Sequence, residues 1–458
     1  MNKFRHFVRR MYNFMKNTDI INQTILKISF LALEGNSGGK MYLTYAVYAL
    51  IVGLLIWGGK FAGFRNSSFH EDSSSLDSMK SLRGFAAIGV ILHHISQQDA
   101  FQWAGGGNGK PGELPIFVNA GYLFVAVFFF CSGFGLIKSL ESKTDYLKGF
   151  MKKRVVKTLV IPYYVSILIY GVLRMATGEK MPVAQWITNF LGLTMMNMYA
   201  WYPIIAAILY SAFYLFFKNI KNRKTCYILM AAVILFLGMF FCVNGHFAWW
   251  AGSENWWLTP VGKEEAKWWM QQQILWISGE WWINSCPALL VGMLFARFET
   301  QIRDWFRKLY WLKLAVVVIL TVGFYYLSGF GQWRFGWWSE FRGYGPDIGR
   351  KIATYFCVIP YSMIFGIFIF TVMLKYKVSN PISRFFGNIS LETYMMNLIP
   401  LTAFRFLISK PDPQWGTVPD YKAGNYNLAV YLVLVFAGTI LLGLLYKFLN
   451  RQAQKLIK

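Results

Sequence analysis

Runs of about 20 apolar residues recur along the whole chain, and they constrain its fold more than any other feature. A helix of that length crosses the hydrocarbon core of a bilayer and satisfies all of its backbone hydrogen bonds internally. Hydrophobic residues make up 56% of the 458 residues and charged residues only 15%, which is unusual for a soluble domain. The sequence therefore predicts an all-α polytopic membrane protein.

The apolar runs divide into one N-terminal transmembrane helix and a core of about ten helices. We take 1–80 as a basic N-terminal segment, the extra helix and a polar linker, 81–450 as the transmembrane domain, and 451–458 as a basic cytoplasmic tail. The predicted spans are about 42–59, 82–98, 118–137, 158–176, 200–217, 226–243, 274–296, 312–329, 352–374, 387–407 and 427–447.

The net charge of +25 is explained by short basic loops between the spans rather than by nucleic-acid binding, for which no module is visible. From residue 98 onward, one set of loops holds 23 Lys/Arg and four Asp/Glu, while the opposite set holds 12 and 11. The first set is therefore predicted to be cytoplasmic. Its loops are 138–157, 218–224, 297–313, 375–384 and 447–458.

The N-terminus fits this orientation less well. If 42–59 spans the membrane, residues 1–40 lie outside, although they carry seven basic and two acidic residues. The alternative is a basic amphipathic segment on the cytoplasmic surface, with 42–59 not fully crossing.

Arg83 and His94 stand out within the second predicted span. At about 100° per residue, their separation of 11 residues is three turns plus roughly 20°, so both project from one helix face, roughly 16 Å apart along the axis. His93 points about 100° away from that face. A cation at the cytoplasmic end suits an anionic ligand, and an imidazole deep in the membrane suits general-base catalysis. The alternative is that Arg83 snorkels to lipid headgroups and the histidines make interhelical hydrogen bonds.

Two further stretches carry polar groups next to apolar helices. Ser132-Gly133-Phe134 permits close helix approach, which either packs two helices together or narrows a path for a thin ligand. Arg154 and Lys157, at i and i+3, would share one face of a helix at the cytoplasmic surface, where they either grip phosphates or form an ordinary basic loop.

These stretches together resemble the acyltransferase-3 family of membrane-bound O-acyltransferases. The family pattern of an arginine and a histidine with ten residues between them matches Arg83 and His94, and FFxxSGF matches residues 128–134. R-x-x-R followed by a proline matches Arg154 to Lys157 and then Pro162, and G-x-x-S-x-x-x-Y matches residues 387–394. Two residues depart from the pattern: Lys157 replaces an arginine and loses its planar fork, and Asn397 stands where many members have a histidine.

The resemblance implies that acyl-CoA, most simply acetyl-CoA, is the donor substrate and binds from the cytoplasm with its phosphates against Arg154, Lys157 and Arg83. The thioester would reach His94, which would deprotonate a hydroxyl of a glycan or glycolipid on the outer side. The location implied is the bacterial cytoplasmic membrane. The remaining predicted binding residues are Ser132, Gly133, Phe134, His93, Tyr394 and Asn397.

The group that orients His94 stays open at this point. Intramembrane carboxylates are functional candidates, so we assign Glu280 and Glu392 to the catalytic set together with His94 and Arg83, and Asp99 is a weaker candidate. Residues 244–282 hold nine of the 19 tryptophans, which either stack on a sugar acceptor or form an interfacial belt.

No metal site or tightly bound cofactor is predicted, because the five cysteines form no CxxC pair and the other histidines are scattered. A homo-oligomer is compatible with the sequence, which does not fix the number of copies. A transporter or flippase for an anionic or glycan substrate is the alternative function, and a catalytically silent sensor is a third.

Overall fold

A computed structural model describes residues 39–99, 114–176, 183–192, 194–244, 274–275, 284–336, 347–411, 419–421 and 427–457. The basic segment before residue 39, Glu280 and most of the tryptophan-rich stretch 244–282 lie outside these residues. The described chain is almost entirely helical, which confirms the all-α fold class. Six of the described helical stretches are long and apolar enough to cross a membrane by length and composition.

The helices and strands follow one another in short connections. The α-helices are α1 Gly39–Ile56, α2 Leu76–Asp99, α3 Pro115–Val118, α4 Gly121–Ser142, α5 Ile161–Ala176, α6 Val183–Phe190, α7 Trp201–Asn219, α8 Arg223–Asn244, α9 Ala288–Arg297, α10 Glu299–Arg307, α11 Tyr310–Phe335, α12 Asp347–Lys375, α13 Pro381–Asn388, α14 Ser390–Met396, α15 Leu398–Ala403 and α16 Leu428–Leu456. A π-helix, Met151–Val160, leads into α5, and 3₁₀ turns cover Met198–Ala200 and Arg405–Leu407. The strands are β1 Gly59–Phe61, β2 Thr194–Met195, β3 Ile274–Leu275, β4 Tyr376–Val378, β5 Ser409–Pro411 and β6 Pro419–Tyr421.

Helix α2 lies at the centre of the bundle. Every residue from Ala86 to Leu92 is buried, as expected of a helix that is apolar all round. It packs against α4 on one side and α13 on another. Gly84 permits the second contact, because a Cβ there would lie 1.7 Å from the carbonyl oxygen of Ser383. The continuous α-helical geometry of α2 is what fixes Arg83 and His94 relative to each other.

Helices α4 and α9 approach each other through a reciprocal pair of glycines. A Cβ on Gly133 would lie 2.0 Å from the Leu289 carbonyl oxygen, and a Cβ on Gly292 would lie 2.0 Å from the Phe130 carbonyl oxygen. Backbone therefore meets backbone in both directions, which is the small-residue packing known from membrane helices. The sequence predicted that the Ser132-Gly133-Phe134 stretch either packs two helices together or narrows a path for a ligand. The contact of Gly133 with α9 is the close packing of two helices.

The linker that precedes α2 forms a strap across one end of the bundle, residues 59–75. It begins with β1, which pairs antiparallel with β4. Arg303 of α10 then holds it by donating to Ser73 Oγ at 2.9 Å and to the His70 carbonyl at 2.8 Å. Loops 297–313 and 375–384, both assigned to the cytoplasmic set from their charge, thus meet the strap on one face.

Helix α1 runs along the bundle from this face. Near its end, the carbonyls of Leu54 and Trp57 accept hydrogen bonds from Asn380 Nδ2 at 2.8 and 3.1 Å. Further back, the Tyr48 ring lies 6.1 Å from that of Phe117, at the level of His93. With 18 residues, α1 is about 27 Å long. The described apolar part of α1, Leu43–Ile56, is shorter than the six stretches able to cross a membrane, so a full crossing by this helix stays a prediction.

Three sequence-based expectations of local structure differ from what is observed. The predicted span 387–407 is broken after Met396, because Pro400 lacks an N–H group and its ring crowds the carbonyl four residues earlier. The predicted span 274–296 is not one helix, since residues 274–275 form β3 and pair with β2. Residues 151–160 form a π-helix instead of an α-helix.

Candidate active site

His94 lies inside the bundle, with 6% of its surface exposed. One face of its ring stacks on Tyr199, with the ring centres 4.1 Å apart and the planes 12° from parallel. Its Nδ1 lies 2.9 Å from Nδ2 of Asn397. Stacking fixes the plane of the imidazole and the amide fixes its rotation within that plane, so Nε2 is the nitrogen left for chemistry.

His93 has a different set of contacts. Its Nδ1–H donates a 2.7 Å hydrogen bond to the carbonyl of Phe117 in α3. The other side of its ring packs on Gly121, where a Cβ would lie 2.2 Å from Nε2. These contacts join α2 to α3 and to the start of α4. They give His93 a packing role and separate it from His94, as the helical spacing indicates.

Asn397 occupies the break between α14 and α15. Its backbone N–H donates to the Thr393 carbonyl and its carbonyl accepts from the Leu401 N–H, each at 3.1 Å. The backbone is therefore held by helical bonds on both sides of the break, while the side chain turns to His94. Among the described residues, this contact with His94 is made by the amide of Asn397 and not by Glu392 or Asp99.

Asn197 is a supporting residue that the sequence reasoning missed. Its Oδ1 accepts from the backbone N–H of Tyr199 at 3.0 Å, and its Nδ2 donates to the Met395 carbonyl at 2.9 Å. The same carbonyl accepts from the Tyr170 hydroxyl at 3.0 Å. Asn197 thus ties the residue that stacks on His94 to the helix before Asn397. A buried asparagine just before a helix start, in MMNMYAWY, was the available signal.

Aromatic side chains fill the bundle on the side of His94 that leads back toward Arg83. Tyr394 is buried, with its ring centre 5.8 Å from that of Tyr199 and 5.5 Å from that of Tyr202. Tyr202 in turn lies 5.1 Å from Phe129. Rings in such contact form a continuous wall. Tyr394, predicted as a binding residue, is a central part of it.

At the other end of this wall, polar groups from four elements meet around Tyr202 and Tyr210. Arg83 interacts electrostatically with both tyrosines, and the Ser132 side chain is within hydrogen-bonding range of both. Arg154 also interacts with Tyr210, and its guanidinium lies 5.8 Å from the centre of the Tyr146 ring. Three residues predicted from separate stretches, Arg83, Ser132 and Arg154, thus each interact with Tyr210.

Lys157 does not share the geometry that the sequence predicted for it. A π-helix closes its hydrogen bonds from i to i+5 and holds more residues per turn than an α-helix, so residues i and i+3 diverge. The assumed common face of Arg154 and Lys157 is therefore wrong. The backbone carbonyl of Lys157 accepts a 2.7 Å bond from Gln454 Nε2, which ties the π-helix to α16.

Glu392 lies with cations rather than with the imidazole. It interacts electrostatically with Lys447, Arg451 and Arg83, at the Arg83 end of the bundle. Asp99 is buried at the end of α2 and interacts with Tyr431. Glu280 lies outside the described residues.

Phe134, which was predicted as a binding residue, is a core residue, with its ring centre 6.3 Å from those of Phe130 and Phe370.

Within the described part of the chain, no group of three His, Cys, Asp or Glu residues is placed to hold a metal ion. All five cysteines are free thiols.

Comparison with models of known protein families identifies the family of the chain. A family model described as an acyltransferase domain matches residues 76–447. The chain belongs to the acyltransferase-3 family. Searches of curated proteins and of solved structures find no match. The acyltransferase domain starts at the first residue of α2, so it contains both ends of the candidate site, and α1 and the strap precede it. Together with the membrane-compatible helices, this makes the chain a multi-pass membrane acyltransferase.

Proposed function

We propose that this acyltransferase is an O-acyltransferase that moves an acyl group, most simply acetyl, from acyl-CoA to a hydroxyl of an extracytoplasmic glycan or glycolipid. The donor binds from the cytoplasm, and the protein resides in the bacterial cytoplasmic membrane. The observation that carries the proposal is the placement of two guanidinium groups and an oriented imidazole at opposite ends of one aromatic wall.

The Arg83 end supplies donor recognition. Arginine side chains suit phosphate groups because they present planar sets of N–H donors and stay charged. Arg83 and Arg154 both interact electrostatically with Tyr210, and the Ser132 side chain is within hydrogen-bonding range of the same tyrosine. An acyl-CoA held there by its phosphates would extend its narrow pantetheine arm along the aromatic wall. The axial distance of roughly 16 Å from Arg83 to His94 is then spanned by that arm.

The His94 end supplies the proton transfer. Nε2 of His94 accepts the proton of the acceptor hydroxyl as its oxygen attacks the thioester carbonyl carbon. The tetrahedral intermediate collapses with cleavage of the C–S bond, and the CoA thiolate leaves and takes up a proton. The products are an ester and free CoA. No second copy of the chain is required, because all of the residues named lie in one chain.

The first experiment follows CoA release by purified protein in detergent with acetyl-CoA and candidate glycan acceptors. We expect His94→Ala to lower kcat by about 10²–10⁴-fold, the usual range for a general base. His93→Gln is the matched control, since it removes the neighbouring imidazole but not the proposed base. Equal CoA release by wild type and His94→Ala would refute the assignment.

The second experiment measures acetyl-CoA affinity. Arg83→Ala and Arg154→Ala should each weaken binding, while Lys153→Ala, which removes an exposed charge from the same π-helix as Arg154, should not. Unchanged affinity in both arginine variants would sink the phosphate-binding assignment.

A further inference from the structure

The two polar atoms of the Asn397 side chain differ in their contacts: one faces His94 and the other has no hydrogen-bond partner among the described residues. Its Nδ2 lies 2.9 Å from His94 Nδ1. Its Oδ1 is buried and has no hydrogen-bond partner among the described residues. The whole residue is 0% exposed, so water does not reach the oxygen from the surface. Unpaired acceptors of this kind are rare inside proteins, and each calls for an explanation.

The orientation of this amide decides which nitrogen of His94 carries the proton. Amide nitrogen and oxygen have nearly the same shape, and a half turn about the Cβ–Cγ bond exchanges them. If Nδ2 faces His94, Nδ1 is the acceptor and the single proton of the neutral ring is on Nε2. If Oδ1 faces His94, Nδ1–H is the donor and Nε2 keeps its lone pair.

Only the second arrangement permits the proposed reaction. A base must accept a proton at Nε2, because Nδ1 is already engaged by Asn397 and one ring face by Tyr199. An Nε2–H imidazole cannot do so. Rotating the amide by a half turn replaces the unpaired oxygen, on the side away from His94, with an unpaired NH₂ group, so packing alone does not select the orientation. The orientation is selected instead by the need for a free lone pair on His94 Nε2.

We propose that Asn397 is a positioning residue whose Oδ1 accepts a hydrogen bond from Nδ1–H of His94 and so holds the imidazole in its base-competent tautomer. This proposal rests on the proposed function. Nδ1–H donates to Oδ1 both before and after Nε2 gains a proton, so the contact needs no reorganisation during the reaction. A neutral amide also avoids the cost of a buried carboxylate in this site.

The tautomer can be read without any turnover. Protein labelled with ¹⁵N at histidine, in detergent above the pH at which the ring is neutral, gives separate signals for protonated and unprotonated ring nitrogens. The His94 signals are those missing from His94→Gln. We expect Nδ1 protonated and Nε2 unprotonated in wild type and in Asn397→Asp, and a mixture in Asn397→Ala. A protonated Nε2 in wild type would overturn the proposal, whether or not the protein transfers acyl groups.

Kinetics supply a readout that a packing role would not move. Asn397→Ala should lower kcat by about 10²-fold or more with the KM for acetyl-CoA unchanged, since it disturbs the base and not donor binding. Asn397→Asp, which can only accept at this position, should recover at least ten-fold of the loss. It should also move the acid limb of the kcat/KM profile to higher pH, because a carboxylate favours the imidazolium. The titratable groups that contact the His94 ring, His93 and Tyr199, are unchanged in both variants.

Ser362→Ala is the matched control for loss of a buried polar group. Ser362 is 0% exposed and donates to the Ile359 carbonyl at 3.0 Å in α12, outside the site. It should affect stability without changing the pH profile. An Asn397→Asp variant no more active than Asn397→Ala, while both stay folded, would contradict the proposal. Absence of acyl transfer by wild type would instead contradict the proposed function and leave the tautomer result to stand by itself.

Discussion

Replacing Gly133 by alanine tests the close contact of α4 with α9. The new Cβ would lie 2.0 Å from the Leu289 carbonyl oxygen, and real Cβ atoms do not approach other atoms within 3.0 Å. The difference requires a displacement of at least 1.0 Å. The obstacle is backbone, so no side-chain rotation relieves it, and α4 and α9 must separate.

The cost of such overpacking is typically about 1–3 kcal/mol of the free energy of unfolding. The loss should extend to activity, because Ser132 is the preceding residue and a shift of about 1 Å in a positioned group can cost 10²-fold in rate. Gly292→Ala should lower the free energy of unfolding by a similar amount. The Gly133→Ala/Gly292→Ala double variant should lower it by less than the sum of the two single variants, since one separation of the helices relieves both clashes.

The matched control lies two residues away on the same helix. A Cβ on Gly135 would meet no atom within 4 Å, so Gly135→Ala should be neutral or stabilise the helix by up to about 1 kcal/mol. The assay is thermal unfolding of the three proteins in the same detergent, followed by CoA release at a temperature where all are folded. An equal unfolding midpoint for Gly133→Ala and Gly135→Ala would refute the reasoning.

Two further predictions concern the strap. Arg303→Leu should lower the free energy of unfolding by about 1–3 kcal/mol, because it removes a buried guanidinium that donates to Ser73 and to the His70 carbonyl and pairs with Glu299, whereas Arg307→Ala at a more exposed pair should cost less than about 1 kcal/mol; denaturant titration in detergent measures both. Asp72→Asn should have a small effect that depends on pH. The side-chain hydrogen bond from Lys377 lowers the pKa of Asp72, so its stabilisation is present above the pKa of the unfolded state, about 3.9, and is lost as pH falls below it. The stability gap between wild type and this variant should therefore close in acid, and a gap that is constant with pH would contradict it.

The features that followed from the sequence were those set by local periodicity. The apolar runs gave the membrane helices because length and hydropathy alone determine whether a helix can cross a bilayer. The shared face of Arg83 and His94 follows from counting residues, and the count holds because α2 is one unbroken helix, Leu76–Asp99. The divergence of His93 follows from the same count, and the structure gives it a separate partner.

The features that did not follow depend on deviations from regular helix or on distant contacts. The π-helix over 151–160 changes the relation of Arg154 to Lys157, and no residue in it is a strong signal for that winding. The contact of His94 with Asn397 joins residues 303 positions apart. The break that presents Asn397 could have been suspected from Pro400, whose effect falls on Met396.

The strap has a consequence for how the protein is made. Its residues are translated well before their partners: Ser74 contacts Glu299, 225 positions on, and Gly63 accepts from Lys375, 312 positions on. At about 5–20 residues per second, Lys375 is translated roughly 15–60 s after Gly63. Until then the end of α12 is not available to hold the strap. The strap is therefore fastened to the acyltransferase domain late in biogenesis, although it precedes that domain in the sequence.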